Sequence, residues 1–433
     1  MIQLPEIMSV KVGKQMKTGK NVHPELSFTK ESTPGNWQKH RSKLQIGFFR
    51  NFNSDRDFHL FLLAGLFAGV GSGINTSIFN NYLSDVFKLS ENVRGFLEVP
   101  RELPGFCIMI ILAALSFLGD IRIAMIGMTA AGLGLLGLGM LSPTFTIMIL
   151  WMMMFSLGTH MAMPVTPSIG MSLSRQESFG ARLGTISAFS LFGSIFAYLF
   201  IFFGFNFMNM TYQTAFLTGT IFYLFAAFSI GLMKKDAPKV RKIKFVFRKR
   251  YSLFYVLAVI SGARNQIFLT FAPWVLIKVF DVKPQMFAIL GMVVAFVSIA
   301  TRKLIGTLID RRGERFVLTA EALLLFIICL GYAFSARIFP AGIAVVIIAA
   351  CYVIDNSMSA VEMARSTYVR KIALSIDDVT PTLSTGVSLQ HIASMLIPVF
   401  GGILWTAVGY PAVFMAAAVI AFLNLVLSNK IKI

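Results

Sequence analysis

Charge is scarce in this chain, and acidic charge is scarcest: charged residues make up 14% of the 433 positions, with 20 acidic against 39 basic. A soluble domain carries about 25% charged residues, so this composition cannot clothe an ordinary water-facing surface. Cysteine is nearly missing. The three present, Cys107, Cys329 and Cys351, all lie inside apolar runs without metal-ligand spacing, and they offer neither a disulfide framework nor a metal site. The first 56 residues lack the apolar core of a secretory leader, and Glu6, Glu25 and Glu31 argue against an organelle transit peptide. Neither an H-E-x-x-H metal motif nor a G-x-S-x-G nucleophile elbow occurs, so an integral-membrane enzyme is not expected and no catalytic residue is assigned.

What the chain has instead is apolar surface. It is 56% hydrophobic with 42 Phe and a mean hydropathy of +0.73. A membrane-spanning helix needs about 20 apolar residues to cross roughly 30 Å of hydrocarbon. Twelve such runs recur, near 58–83, 95–118, 121–141, 145–170, 183–204, 212–233, 251–279, 285–308, 315–336, 340–364, 382–405 and 410–428. They are numbered below as spans 1 to 12.

The net charge of +19 would suggest nucleic acid in a soluble protein, but its distribution points elsewhere. With loops assigned alternately to two sides, 32 of the 39 lysines and arginines fall on the side of the termini. The positive-inside rule then predicts both termini in the cytoplasm and no nucleic-acid partner. A multi-pass protein of the plasma (inner) membrane is expected, a monomer in the lipid bilayer.

The chain also repeats itself. "GINTSIFNNYLSDVF" in span 1 aligns with "GARNQIFLTFAPWVL" in span 7 at an offset of 189, and "FLGDIR" (Phe117 to Arg122) with "TLIDRR" (Thr307 to Arg312) at 190. Two six-span halves follow. The predicted layout is a basic, disordered cytoplasmic tail over 1–56, a first bundle over 57–233, a basic linker over 234–250 and a second bundle over 251–433. The end of the tail, "KLQIGFFRNF", mixes aromatic and basic residues and reads either as a membrane-surface segment or as a plain linker.

After span 8, "GTLIDRRGER" (Gly306 to Arg315) resembles the G-x-L-x-D-R-x-G-x-R signature of the major facilitator superfamily, position for position. After span 2 the chain keeps Leu118 and Asp120 of that signature and loses both glycines. The resemblance implies an all-α membrane fold of twelve helices in two pseudo-symmetric six-helix bundles. It also implies alternating access for a small solute, no cofactor, and a central cavity faced by spans 1, 2, 4, 5, 7, 8, 10 and 11. The gating residues it implies are Asp120, Gly306, Asp310, Arg311, Gly313 and Arg315. Asp310 would bond amides at the start of span 5, near 180–185, and Asp120 those at the start of span 11, near 382–385, when the cytoplasmic side is closed. The arginines of the loop also satisfy the positive-inside rule on their own.

Polar residues within spans are costly and therefore informative. Tyr352, Asp355, Ser359 and Glu362 are spaced 3, 4 and 3 along span 10, and Arg264 lies near the middle of span 7, aligned with Asn75 of span 1. Asn75, Arg264, Tyr352, Asp355 and His391 are the expected substrate-binding residues. In "RGFLEVPRELPG" the side chains of Glu98, Arg101 and Glu102 share one face of span 2. With Asp355 they are the proton-coupling candidates, against the alternative that Arg101 merely pairs with both glutamates. Ser187, Ser190 and Ser194 in span 5 and Ser384 and Ser388 in span 11 read more readily as helix packing. The run "WMMMFSLGTHMAM" invites a metal path through Met154, His160 and Met161, but methionine is a common apolar filler and no metal is assigned. The expected function is secondary active transport, proton-coupled, with a facilitative uniporter or a non-transporting sensor of the same fold as alternatives.

Overall fold

A backbone in hydrocarbon must satisfy its own polar groups, and the described residues do so with helices. The computed structural model describes residues 56–173, 179–234 and 247–431, apart from the side chains of 179–181 and 376–377. The expected tail up to residue 55 and residues 235–246 of the linker lie outside them.

Ten helices among the described residues are long and apolar enough to cross a membrane. Spans 1 and 3 to 6 are Arg56–Asp85, Asp120–Met140, Phe145–Ser172, Phe179–Phe207 and Tyr212–Gly231. Span 7 is Ser252–Lys278, span 11 Ile376–Val408 and span 12 Tyr410–Ser428. Span 10 joins Ala341–Ser357 to Glu362–Ile372 through a short 3-10 turn. Pro284–Ile338 has 55 residues. At 1.5 Å per residue it would reach about 80 Å, too long for one pass. Gly313, with φ 79° and ψ 169°, breaks it into spans 8 and 9. Span 2 bends instead of running straight, as Glu91–Phe96, Glu98–Phe106 and Ile108–Ala114. With that break and the bent span 2 added, the ten helices among the described residues are consistent with twelve passes.

The two halves pack alike. Span 1 lies on span 5 and span 7 on span 11. A Cβ on Gly69 would sit 2.0 Å from the Ser190 carbonyl oxygen, so these helices touch backbone to backbone. Ser194 donates to the Gly69 carbonyl at 3.1 Å, which puts the serines of span 5 in this packing seam. Gly73 faces Ser194 and Ala197 in the first bundle as its sequence partner Gly262 faces Gln390 in the second. Span 9 meets span 12 through stacked Tyr332 and Phe414 rings, 4.4 Å apart.

The register of the repeat slips at one loop. Gly119 (φ 79°, ψ 165°) opens span 3 as Gly313 opens span 9, both in the left-handed region that favours glycine. Each is followed by a buried acid. Asp120 accepts a 2.5 Å hydrogen bond from Ser168 of span 4, and Glu314 pairs with Lys371 of span 10 at 2.8 Å. The backbone therefore matches Asp120 with Glu314, whereas the sequence offset of 190 matches it with Asp310. The second loop is four residues longer before its glycine, and identity of residue type hid the shift.

Candidate functional site

The side of the membrane bearing most lysine and arginine is called the basic side below, and the opposite one the far side. The bundles meet in the far half. Asn81 of span 1 donates to the Val282 carbonyl at 2.8 Å. A Cβ on Gly95 would lie 2.1 Å from the Pro398 carbonyl oxygen, and one on Gly291 2.7 Å from the Tyr198 ring. Trp274 and Ala288 of the second bundle join the apolar cluster of the first. Towards the basic side, Ser388 reaches the Met109 sulfur at 3.6 Å. Beyond that, Gly184 of span 5 and Gly306 of span 8 have nothing within 4 Å of a built Cβ. Spans 5 and 8 touch farther along, where a Cβ on Gly291 would meet the Tyr198 ring.

Between the bundles lies a chain of buried charges. Glu98 is fully buried. One of its oxygens pairs with Arg94; the other accepts from Arg101 Nε at 2.6 Å and from Gln266 Nε2 of span 7, also at 2.6 Å. Arg94 donates further to Asn80 at 3.0 Å. Arg101 reaches Glu102 at 3.1 Å, and the other oxygen of Glu102 lies 3.1 Å from His391 Nδ1 of span 11. Two arginines and two glutamates alternate, so the chain of four carries no net charge, and that is what makes its burial bearable. Span 2 bends at Leu97 and Cys107, and the face it turns inward is the one on which Glu98, Arg101 and Glu102 stack.

His160 of span 4 completes the group. Its ring lies 5.4 Å from that of His391, centroid to centroid, and its Nδ1 is 2.9 Å from the Ser156 carbonyl. The Ser156 hydroxyl donates to the Arg101 carbonyl at 2.5 Å. Met161 is buried in the core of the first bundle, so the methionine run does not form a path with His160.

Arg264 and Asp355 are paired, both nearly buried, within the second bundle. Tyr352 packs its ring against Phe287 at 6.1 Å. The Asn75 carbonyl oxygen is buried without a hydrogen-bond partner among the described residues. Asp310, Arg311 and Arg315 are exposed on the basic side, and Asp310 makes no hydrogen bond or ion pair among the described residues. Glu362 binds Arg365 at 2.9 Å, and Arg365 also holds Glu321 of span 9 at 2.7 Å. A cleft of about 650 Å³ opens at the far ends of spans 1, 3, 4 and 6, around Tyr82, Ser142 and Tyr212. It belongs to the first bundle alone and carries none of this chemistry.

Sequence reasoning brought together Glu98, Arg101 and Glu102, and Arg264 with Asp355. It missed Arg94, counted as a loop cation although its side chain is 1% exposed, and it missed Gln266 and Asn80. The polar triplet Arg264, Asn265, Gln266 inside an apolar span was the available signal.

A family profile described as Major Facilitator Superfamily matches residues 61–376. No curated protein sequence matches the chain. Among solved structures, the nucleoside transporter NupG superposes with a TM-score of 0.67 at 13% identity, covering 88% of this chain and 100% of its own. The D-xylose-proton symporter gives 0.67 at 15%, covering 87% and 97%. An inward-facing, occupied bacterial homolog of the human lysosomal transporter Spinster gives 0.65 at 15%, covering 86% and 95%. At these identities the likeness speaks for the fold.

Proposed function

The chain belongs to the major facilitator superfamily, and from that premise we propose that it carries a small polar or amphiphilic solute across the membrane by alternating access. The observation that carries this reading is an asymmetry. Buried polar contacts join the bundles in the far half, as in Glu98 with Gln266, while Gly184 and Gly306 face open space near the basic side. That is the geometry required of an end state closed on one face and open on the other. With the basic side in the cytoplasm of a cell bounded by this membrane, the state is inward-open.

The solute site lies near mid-membrane, with Asn75, Arg264, Tyr352, Asp355 and His391 as its residues. The Asn75 side-chain oxygen is buried without a hydrogen-bond partner among the described residues, an acceptor that a donor group of the solute would satisfy once the bundles move. Asp310, exposed in this state, latches onto the positive end of span 5 when the basic side closes, with Asp120, Gly306, Arg311, Gly313 and Arg315 shaping that latch. A proton gradient drives the cycle, and Glu98, Glu102 and Asp355, with Arg101 beside the first two, are the intramembrane groups available to it. Facilitated uniport is the second reading, favoured by the fact that each of these carboxylates already has an arginine partner.

The test is a thermal-unfolding screen of the purified protein against solute classes, because a ligand of the folded state stabilises it as RT ln(1 + [L]/Kd). A stabilising solute should enter proteoliposomes containing the protein, and more so under a pH gradient. If no class stabilises it and none enters, transport is overturned; entry indifferent to the gradient leaves uniport.

A further inference from the structure

We propose that Glu102, His160 and His391 form a site for a transition-metal dication of the zinc class, bound between the two bundles. The three residues come from spans 2, 4 and 11, and one ligand atom from each lies within 4.8 Å of the others. Glu102 and His391 are already 3.1 Å apart. Zinc bonds of about 2.0–2.1 Å in a tetrahedron require ligand atoms roughly 3.3 Å apart; on binding, the ion replaces the His391 Nδ1–H···Oε2 bond, that proton leaving Nδ1, and this edge keeps nearly its length while the His160 edges close.

The surroundings set the ligands up. His160 Nδ1 faces the Ser156 carbonyl at 2.9 Å. A carbonyl only accepts, so Nδ1 carries the proton and Nε2 keeps its lone pair, the arrangement usual in a metal-bound histidine. That Nε2 points at Gly105. A Cβ there would come within 2.6 Å of His160 Nε2 and 2.7 Å of His391 Cε1, so glycine keeps the gap between the two imidazoles clear. Arg101 holds Oε1 of Glu102 at 3.1 Å and leaves Oε2 for the ion.

The ligand types choose the metal. Two imidazoles and a single carboxylate oxygen suit Zn²⁺, Co²⁺ or Ni²⁺, whereas Ca²⁺ and Mg²⁺ require mostly oxygen ligands. The arginine and glutamate chain is neutral, so no surplus negative charge draws in a hard cation; coordination by nitrogen supplies the affinity. Three protein ligands leave a fourth position for water. Because His391 belongs to one bundle and Glu102 and His160 to the other, a bound ion clasps the far side shut. The site shares His391 with the proposed solute site and Glu102 with the proton-coupling groups, so the ion would compete with both, but its test requires neither solute nor pH gradient.

The experiment uses the purified, metal-stripped full chain with Zn²⁺, Co²⁺, Mg²⁺ or Ca²⁺ added alone, reading the unfolding midpoint and the visible absorbance of Co²⁺. Zn²⁺ should raise the midpoint, and Co²⁺ should give an intense tetrahedral-type spectrum. His160→Gln and His391→Gln should each weaken binding at least tenfold, His391→Cys should retain it, and His59→Gln should leave it unchanged. Spin labels at Lys88 and Ile338, both on the far side, should show Zn²⁺ narrowing their distance distribution in the unsubstituted protein. Equal stabilisation by Mg²⁺, or Zn²⁺ binding unchanged in the double glutamine variant, would overturn the site. Zn²⁺ binding that leaves the label distances unaltered would overturn the clasp.

Discussion

Gln266 of span 7 donates its side-chain amide to Glu98 of span 2 across 2.6 Å, tying the two bundles at a carboxylate that Arg94 and Arg101 already flank. A hydrogen bond to a charged group contributes about 1.5–3 kcal/mol. Gln266→Leu leaves Glu98 with its two arginines and removes only the tie between bundles. We expect the far side to open roughly tenfold more often or beyond. Modification rates of a cysteine placed at Leu97, 1% exposed in this state, should rise accordingly; an unchanged rate would mean the bond does not hold the gate.

Gly95→Ala should act on the same gate through sterics alone. The added methyl would lie 2.1 Å from the Pro398 carbonyl oxygen, a backbone atom that cannot swing aside. Spans 2 and 11 must then part at their far ends. Amide hydrogen exchange over residues 395–402 should speed up in this variant, and protection equal to that of the unsubstituted chain would contradict the close contact.

Arg264 and Asp355 hold span 7 to span 10 inside the second bundle. Removing one partner of a buried pair costs about 3–5 kcal/mol. Arg264→Gln and Asp355→Asn should each lower the unfolding midpoint and abolish transport. The double variant Arg264→Asp with Asp355→Arg should recover stability while transport stays lost, because a solute site needs each charge in its place. Recovered transport would make the pair purely a strut.

The two acids of the loop between spans 8 and 9 should separate cleanly. Glu314 is buried and held by Lys371 at 2.8 Å, so Glu314→Gln should destabilise the protein. Asp310 is exposed in this state and makes no hydrogen bond or ion pair among the described residues, so Asp310→Asn should leave the midpoint unchanged and instead favour the conformation open on the basic side. A midpoint lowered as much by Asp310→Asn as by Glu314→Gln would contradict the assignment.

Much of this was readable in the chain because its signals are local. Apolar run length fixes the passes, and the skew of lysine and arginine predicts their orientation. The face shared by Glu98, Arg101 and Glu102 follows from helical spacing within one segment. Their partners do not follow from spacing. Gln266 is 168 residues from Glu98 and His391 is 289 from Glu102, so those contacts depend on how two bundles pack. Arg94 was misjudged for the same reason: four residues before Glu98 on a short helix, it reads as a loop cation until span 11 covers it. The loop register failed where residue identity, Asp310 with Asp120, outweighed backbone geometry at Gly119 and Gly313.

Alternating access requires opposed motion of the two faces, and paired distance measurements on one preparation read it. Spin labels at Lys88 and Ile338 report the far side, and labels at Ser172 and Thr307 report the basic side. On adding a solute that stabilises the protein, the two distances should change in opposite directions, the far side widening as the basic side narrows. Both distances moving together, or neither moving, would contradict alternating access in this chain.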